Sequence, residues 1–377
     1  MAKLAKRLEL TVLNRNRKSV EDWVAALKQA DNVKQPKRAK LIEIYERIVL
    51  DTHLSAIIDN RKNKVTGEKF VIESPSGEVD EEATKLFRRP WFNKFCKHAL
   101  DSIFYGYSLI ELGELNELQE LDSVTLIERR NVIPERDEVL LKATDQTGIN
   151  YLKGALMDEL IFVGDKYDYG LLNKAVPLVL YKAIAFGSWA QHTEIYAQPF
   201  RIAKTNLDDT DLVAQLEGQM QRMGTEGFAL LNLGDEFEFL QAGQFSFQIY
   251  NNLIDACNAE ISKLIQGQTM SSDNGSSQSQ ATVHKGVADE IAESDKEFLE
   301  NVINEQLIPR LVILGYPLQD YRFRFDQNKA VSLTEQTALF TTLLQHYDIS
   351  EETIKETFGI EVLKKALPEP NASGFGE

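Results

Sequence analysis

The chain has 377 residues, 43% of them hydrophobic and 27% charged, with a formal net charge of −16. That balance is globular, and the length exceeds what one compact core ordinarily holds, so two or more sub-structures are expected. A chain this acidic is not built to grip nucleic acid by its phosphates, and no apolar run approaches the roughly 18 residues that a bilayer span needs.

Residues 1–38 are locally basic, with Lys3, Lys6, Arg7, Arg15, Arg17, Lys18, Lys34, Lys37 and Arg38. They read as an arm, either solvated and mobile or held by a partner or by DNA. Met1 to Leu13 shows neither a continuous apolar stretch nor a small-residue cleavage site, so no secretory leader is expected. Ser19 is placed to cap a short helix over Val20 to Ala30. From Arg38 to Val65, Leu41, Ile44, Tyr45, Ile48, Leu54 and Ile57 recur at helical spacing. A strand over Lys69 to Glu73 and a turn at Ser74 to Gly77 follow. Residues 80–104 read as helices broken at Pro90, and Tyr105 to Leu112 as a strand. Glu111, Glu114, Glu117 and Glu120 then recur every third residue beside Leu112, Leu115, Leu118 and Leu121. That period suits neither helix nor strand, and irregular solvated surface is expected there in preference to a carboxylate site. From Ser123 to Val163 short β-rich runs, among them Val139 to Lys142 and Glu159 to Val163, alternate with turns in an antiparallel pattern.

Val176 to Tyr196 reads as a long helix that opens at Pro177 and is closed by Pro199. Residues 199–240 spell a strand (Phe200 to Lys204), a helix (Asp208 to Met223) and two strands (Phe228 to Leu233 and Glu236 to Leu240) about a turn at Gly234 and Asp235. A second long helix, Phe245 to Gln266, ends where the composition changes abruptly, residues 267–280 being almost entirely small and polar. A third runs from Ala281 to Leu314 with Pro309 as an expected kink and Asp289, Glu290, Glu293, Asp295, Glu297, Glu300 and Glu305 on its polar side. Tyr321 to Phe325 reads as a strand. Ser332 and Glu335 make a capping box for a helix to His346, and Ser350 caps another that stops at Gly359. The tail from Pro368 to Glu377 is expected to be disordered. The fold class is α+β, predominantly helical.

The residues that carry chemistry are sparse. None of His53, His98, His192, His284 and His346 pairs at metal-ligand spacing, and Cys96 and Cys257 are expected as buried free thiols, so no metal and no cofactor is expected. No P-loop, no G-x-G-x-x-G and no G-x-S-x-G run occurs. Asp208, Asp209 and Asp211 fit a helix start as caps and dipole partners better than they fit a cation site. The Ser-rich stretch allows one enzymatic alternative, a soluble hydrolase with that loop as a lid and Ser271 or Ser276 near His284. A serine nucleophile needs a base and a third group to orient it, and the sequence offers no third group. A loop of this composition between two long helices is nevertheless unusual unless it works.

The segment from Leu264 through Gly267, Gln268 and Thr269, the Ser-rich stretch and Val283-His284 resembles the Mu-like phage portal protein family. The acidic run Val287 to Asp295, Leu307 to Val312, Tyr169 to Leu172, Trp189, Glu194 and Pro199, and Gly106 to Glu111 fit the same family in the same order, over about residues 40–365. The resemblance implies a portal-type fold and no catalysis. Its parts would be a wing (39–175), a first stem helix (176–198), a small α/β clip (199–240), a second stem helix (241–266), a tunnel loop (267–281), a long wing helix and strand (282–331) and a short helical crown (332–367). It implies a ring, typically of twelve subunits, in the virion at the capsid portal vertex, assembled in the host cytoplasm. DNA is packaged and ejected through such a ring. Double-stranded DNA would pass Thr269, Ser271, Ser272, Asn274, Ser276, Ser277 and Ser279 non-specifically, with His284 and Lys285 adding a small positive field. Phe200, Arg201, Asp209, Asp211, Arg222 and Glu226 of the clip would meet the terminase large subunit or the head-tail adaptor, and the wing the major capsid protein. No membrane is involved. An acidic chain suits sliding rather than sticking, since it repels phosphate. An adaptor or scaffold ring without a DNA channel is a third reading.

Overall fold

Two amphipathic helices begin the described part, α1 (Val20–Ala30) and α2 (Ala39–Ile48), followed by α3 (Thr52–Thr66). The computed structural model describes residues 20–116, 121–154, 156–196, 201–205, 208–222, 228–231, 246–269, 278–326 and Thr342. The helical pattern of 38–65 is divided because the Asp51 carboxylate accepts the Leu54 amide at 3.0 Å and so starts a new helix. Residues 20–38 are docked, unlike a solvated arm. Trp23 Nε1 donates to Asn173 Oδ1 at 2.9 Å, and Ala26 and Ala30 are buried. Arg38 is only 2% exposed. Its guanidinium donates to Glu135 Oε1 at 2.8 Å and to the Asp168 carbonyl at 2.7 Å, and lies over the Tyr169 ring. The expected Ser19 cap lies outside the described residues.

Next come β1 (Phe70–Glu73), α4 (Glu81–Phe87), α5 (Pro90–Tyr105), β2 (Tyr107–Leu112) and β3 (Val124–Leu126). The short strands β4 (Val132–Ile133), β5 (Glu138–Val139) and β6 (Ile149–Asn150) form one antiparallel sheet, and α6 (Leu156–Glu159) leads into β7 (Leu160–Gly164). β2 is the centre of a second antiparallel sheet of order β3-β2-β7. This corrects the expectation for Glu111, which is not on solvated surface. It lies in the central strand opposite Thr125 and Leu160 and is 3% exposed. The return past it is also regular, for Gly113 N–H donates to the Ser123 carbonyl at 2.8 Å and Leu115 bridges Leu121. Glu117 and Glu120 lie outside the described residues.

The long helix α7 (Gly170–Tyr196) starts six residues before the expected Val176, with Pro177 inside it. The start signal is Asp168, whose Oδ1 accepts the Gly170 amide at 2.9 Å; Pro177 costs the helix one internal bond without ending it. Gly106, Gly164 and Gly170 all take positive φ and meet at this point. A Cβ on Gly106 would lie 2.2 Å from the Asp168 carbonyl oxygen, one on Gly164 2.3 Å from that of Gly106, and one on Gly170 2.2 Å from that of Phe104. The end of α5, the end of β7 and the start of α7 therefore touch backbone to backbone, an approach only glycine permits.

Beyond α7 lie β8 (Arg201–Lys204), α8 (Thr210–Arg222) and β9 (Phe228–Leu231), then α9 (Ser246–Gln266) and α10 (Gln278–Val302). The expected 281–314 helix begins earlier, passes through a π turn at Ile303–Leu307 and restarts as α11 (Ile308–Ile313). Pro309 thus sits in the first turn of α11, where its missing N–H is tolerated. β10 (Arg322–Phe325) pairs antiparallel with β1. Asn304 locks it to the π turn, accepting from Phe323 N–H at 2.7 Å and donating to its carbonyl at 3.0 Å.

Two apolar cores result. One joins α2, α3, α7 and α9 around Tyr45, Tyr107, Leu172 and Ile261; the other joins α5, α10, α11, β1 and β10 around Phe87, Phe95, Leu307 and Phe323. Met1–Phe325 form one unit and residues 326–377 a second, of which only Asp326 and Thr342 are described; the capping box, both late helices and the tail fall outside the description. Cys96 and Cys257 are free and buried. Among the described residues no helix is long and apolar enough to cross a membrane.

Candidate functional site

α7 and α9 pack along one another in opposite directions: His192 near the end of α7 meets Tyr250 near the start of α9, ring centroids 6.1 Å apart. At 1.5 Å per residue α9 spans about 30 Å, so its two ends hold separate chemistries well apart. At one end stands the unit of β8, α8 and β9; at the other α9 leads into the Ser-rich loop.

Buried polar groups fix the loop end to the body. Lys182 of α7, 4% exposed, donates to Asp51 Oδ1 at 3.0 Å, the same carboxylate that caps α3. Arg61 of α3 forms a two-pronged pair with Asp295 of α10 at 2.7 and 2.8 Å and donates to the Ile265 carbonyl in the last turn of α9 at 2.8 Å. One guanidinium thereby holds the helix before the loop and the helix after it. Gly267, at φ +72°, closes α9 with its amide on the Lys263 carbonyl at 2.9 Å. A Cβ there would lie 2.9 Å from side-chain carbons of Val287 and Ile291, so α9 and α10 approach through this glycine. The loop therefore leaves from and returns to a fixed base.

His53 Nε2 lies 2.8 Å from Ser262 Oγ and 3.1 Å from the Asn258 carbonyl. The pair has the look of a nucleophile and its base, and the geometry refuses the role. A carbonyl only accepts, so Nε2 carries the proton and donates; it cannot take one from Ser262. Burial, and then the nearby Lys182 charge, push the His53 pKa down, which keeps the ring neutral, and Ser262 is 1% exposed. The contact is a strut between α3 and α9.

Of the expected loop residues, Thr269 is half-buried just past Gly267. Ser271, Ser272, Asn274, Ser276 and Ser277 lie outside the described residues. Ser279 belongs to the first turn of α10, which begins at Gln278 and not at 281 or 282, and His284 and Lys285 fall in its second and third turns. Of the clip residues, Arg201 opens β8, opposite Phe228 of β9 in a parallel pairing, and Arg222 ends α8. Asp209 caps α8, accepting the Leu212 amide at 3.1 Å, and Asp211 lies in the first turn, as an acid at a helix start should. Phe200 and Glu226, and the strand expected at Glu236 to Leu240, lie outside the described residues. Among the described residues no group of three or more His, Cys, Asp or Glu side chains is placed to hold a metal ion.

Sequence reasoning missed the outer faces of the helix pair. Tyr181 is 49% exposed, Ile184 45%, Phe186 49%, Leu253 44% and Ile249 64%. The signal was present. α7 is apolar nearly all round, and a helix of that kind is made to be covered on more than one side. Its neighbours in the chain, α9, α5, α2 and α1, cover only part of it.

Residues 42–360 match the family described as the portal protein of Mu bacteriophage. No curated protein is significantly similar to the chain. Among solved structures, a chain from the neck of an empty GTA particle is similar at a TM-score of 0.52 with 12% identity, covering 90% of this chain and 99% of that one. A HK97 family phage portal protein from Corynebacterium diphtheriae is similar at a TM-score of 0.42 with 14% identity, covering 81% of this chain and 97% of that one.

Proposed function

The chain belongs to the portal protein family of Mu bacteriophage, and on that premise we propose that it is one subunit of a ring-shaped channel through which DNA is packaged into and ejected from a phage head. In this reading α7 and α9 form the stem, and the β8-α8-β9 unit is the clip that meets the terminase large subunit and then the head-tail adaptor. Residues 270–277, with Thr269 and Ser279 at their edges, face duplex DNA, and the wing before α7 meets the major capsid protein. The protein itself is not an enzyme; a partner ATPase supplies the force. The ring, of about twelve subunits, assembles in the host cytoplasm and remains at the portal vertex of the virion.

The observation that carries this reading is the apolar exterior of the helix pair. Ile184 and Phe186 on α7 and Ile249 and Leu253 on α9 are about half in solvent, and such a surface on an isolated chain is unfavourable. A head-to-tail ring hides one face of each subunit against a different face of the next, and rotation closes it. The loop base fits the same reading, since Arg61 braces both helices against whatever passes the loop. Electron microscopy of the purified protein, with native mass, tests it. Closed rings with an open channel wide enough for duplex DNA are expected; a monomer or dimer at every salt concentration would sink it. Serine-to-alanine changes at Ser271, Ser272, Ser276 and Ser277 should leave the rings intact and impair packaging or ejection.

A further inference from the structure

We propose that the groove between α5, β1, β10 and α10 is a docking site for an acidic amphipathic segment of another protein, anchored by one aromatic side chain. The groove has a volume of about 370 Å³. Phe87, Phe92, Leu299, Phe323 and Phe325 form its floor, and all five are at least 93% buried. Phe87 and Phe92 pack edge to face with centroids 5.0 Å apart, and Phe323 lies tilted against Phe92 at 5.6 Å. A further ring would continue this arrangement, and the volume holds one large side chain with room to spare.

The mouth decides what kind of segment carries that side chain. Exposed Arg88, Arg89 and Asn93 line it. From Ala83 to Leu100 the sequence has five cations (Lys85, Arg88, Arg89, Lys94 and Lys97) and no carboxylate, in a chain of net charge −16. Some of this charge is already met. Lys85 binds Glu82 at 2.6 Å, Arg88 lies 3.9 Å from Glu81, Arg89 also has an interaction of its own, and Glu68 on the rim binds Lys296 at 3.2 Å. Lys94 and Lys97 are exposed on α5 one residue past groove-lining Asn93 and Cys96, and among the described residues neither has a carboxylate within 4.0 Å. Screening confines the effect of distant acids to about 8 Å at physiological salt, so a short ligand here meets a local basic surface on an acidic protein. Duplex DNA would use the cations and leave the aromatic floor empty. An acidic segment with an aromatic anchor uses both, the floor for affinity and the cations for orientation and on-rate. The site does not depend on the ring and would be present on a single subunit.

Fluorescence anisotropy with the full chain tests this. The probe is a labelled helical peptide rich in Glu with one Trp, beside the same peptide with Trp→Ala and the same peptide with Glu→Lys. Saturable binding of the first is expected, weakened about tenfold or more in either control peptide and by added salt. Arg88→Glu with Arg89→Glu removes the charge at the mouth, and Asn93→Trp fills the mouth from an exposed position. Each should weaken binding by a similar factor while the thermal melt stays where it was. Equal binding of all three peptides, no binding of any, or indifference to both sets of variants would overturn the proposal. So would a short DNA duplex that competes with the peptide and depends on Arg88 and Arg89 alone, which would make this a nucleic-acid surface.

Discussion

The body around α5, β1 and β10 and the helix pair of α7 and α9 treat apolar residues in opposite ways. In the body, aromatic rings are turned on one another: Phe70 stacks on Phe323 at 5.2 Å, Phe87 and Phe92 meet edge to face, and Phe95 is 0% exposed. In the helix pair, Phe186 stacks on Trp189 at 6.5 Å and is still 49% exposed. In the proposed ring the exposed rings of the helix pair would meet a neighbour while the body would not, so stability and assembly should be separable.

The sharpest break of the body is Phe323→Ala. The side chain is 1% exposed and touches four other rings, so truncation leaves a cavity that costs about 3–5 kcal/mol. Urea unfolding followed by circular dichroism would show this as a lower midpoint with an unchanged slope. Arg61→Ala comes next, at about 3 kcal/mol, because it leaves Asp295, whose side chain is 7% exposed, as a buried charge without its partner. Asp295→Ala together with Arg61→Ala should cost less than the sum of the two, which a double-mutant cycle reads directly. If the two losses simply add, the pair is not what holds the base of the loop.

The same contrast explains what the sequence makes legible. Periodic apolar spacing located α2, α3, α5, α9 and β10 because those elements bury one stripe or one face. It misplaced the start of α7, where an Asp168 cap and Gly170 at positive φ act through backbone contact with Phe104 and Gly106, partners some 65 residues away in sequence. It read an interruption at Pro309 but not the π turn at Ile303–Leu307 just before it, where Asn304 grips β10, a tertiary event. Glu111 was read as solvated from a local charge period, although strands on both sides of β2 bury it. Of the candidate site, the caps at Asp209 and the helices flanking the loop were legible; Lys182, Arg61 and Asp295, which fix them, were not. Nothing in a local window says that a charged residue will find a partner on another helix.

A smaller effect belongs to pH. His98 sits on α5 with neither ring nitrogen hydrogen-bonded among the described residues. Burial, opposed by Asp101 and assisted by Arg129, Lys94 and Lys62, lowers its pKa from the ordinary 6.5 to about 4. The unfolded chain therefore binds the additional proton first as pH falls, and native stability drops between pH 6.5 and about 4. Allowing for residual solvation, the loss is about 2 kcal/mol across that window. His98→Leu should flatten this part of the stability-pH curve and leave the value at pH 8 nearly unchanged. An unaltered slope would assign the acid sensitivity of the body to other groups.

The smallest change in stability should accompany the largest change in assembly. Ile184→Glu and Phe186→Glu replace side chains that are already about half in water, so unfolding of the isolated subunit should move by no more than about 0.5 kcal/mol. In a ring, the same carboxylates would be placed against an apolar partner, where an unpaired charge is costly. Native mass and sedimentation velocity should then show subunits in place of rings, at concentrations where the parent chain is fully assembled. Lys174→Glu, also exposed on α7 and near its start, controls for added charge alone and should leave the rings standing. If Ile184→Glu and Phe186→Glu assemble as the parent does, the exposed stripe is not the subunit contact, and the contrast between a self-sufficient body and a partner-seeking helix pair fails at its second half. If they lose stability along with assembly, the stripe belongs to the fold of the single chain, and the separation between the two properties is wrong.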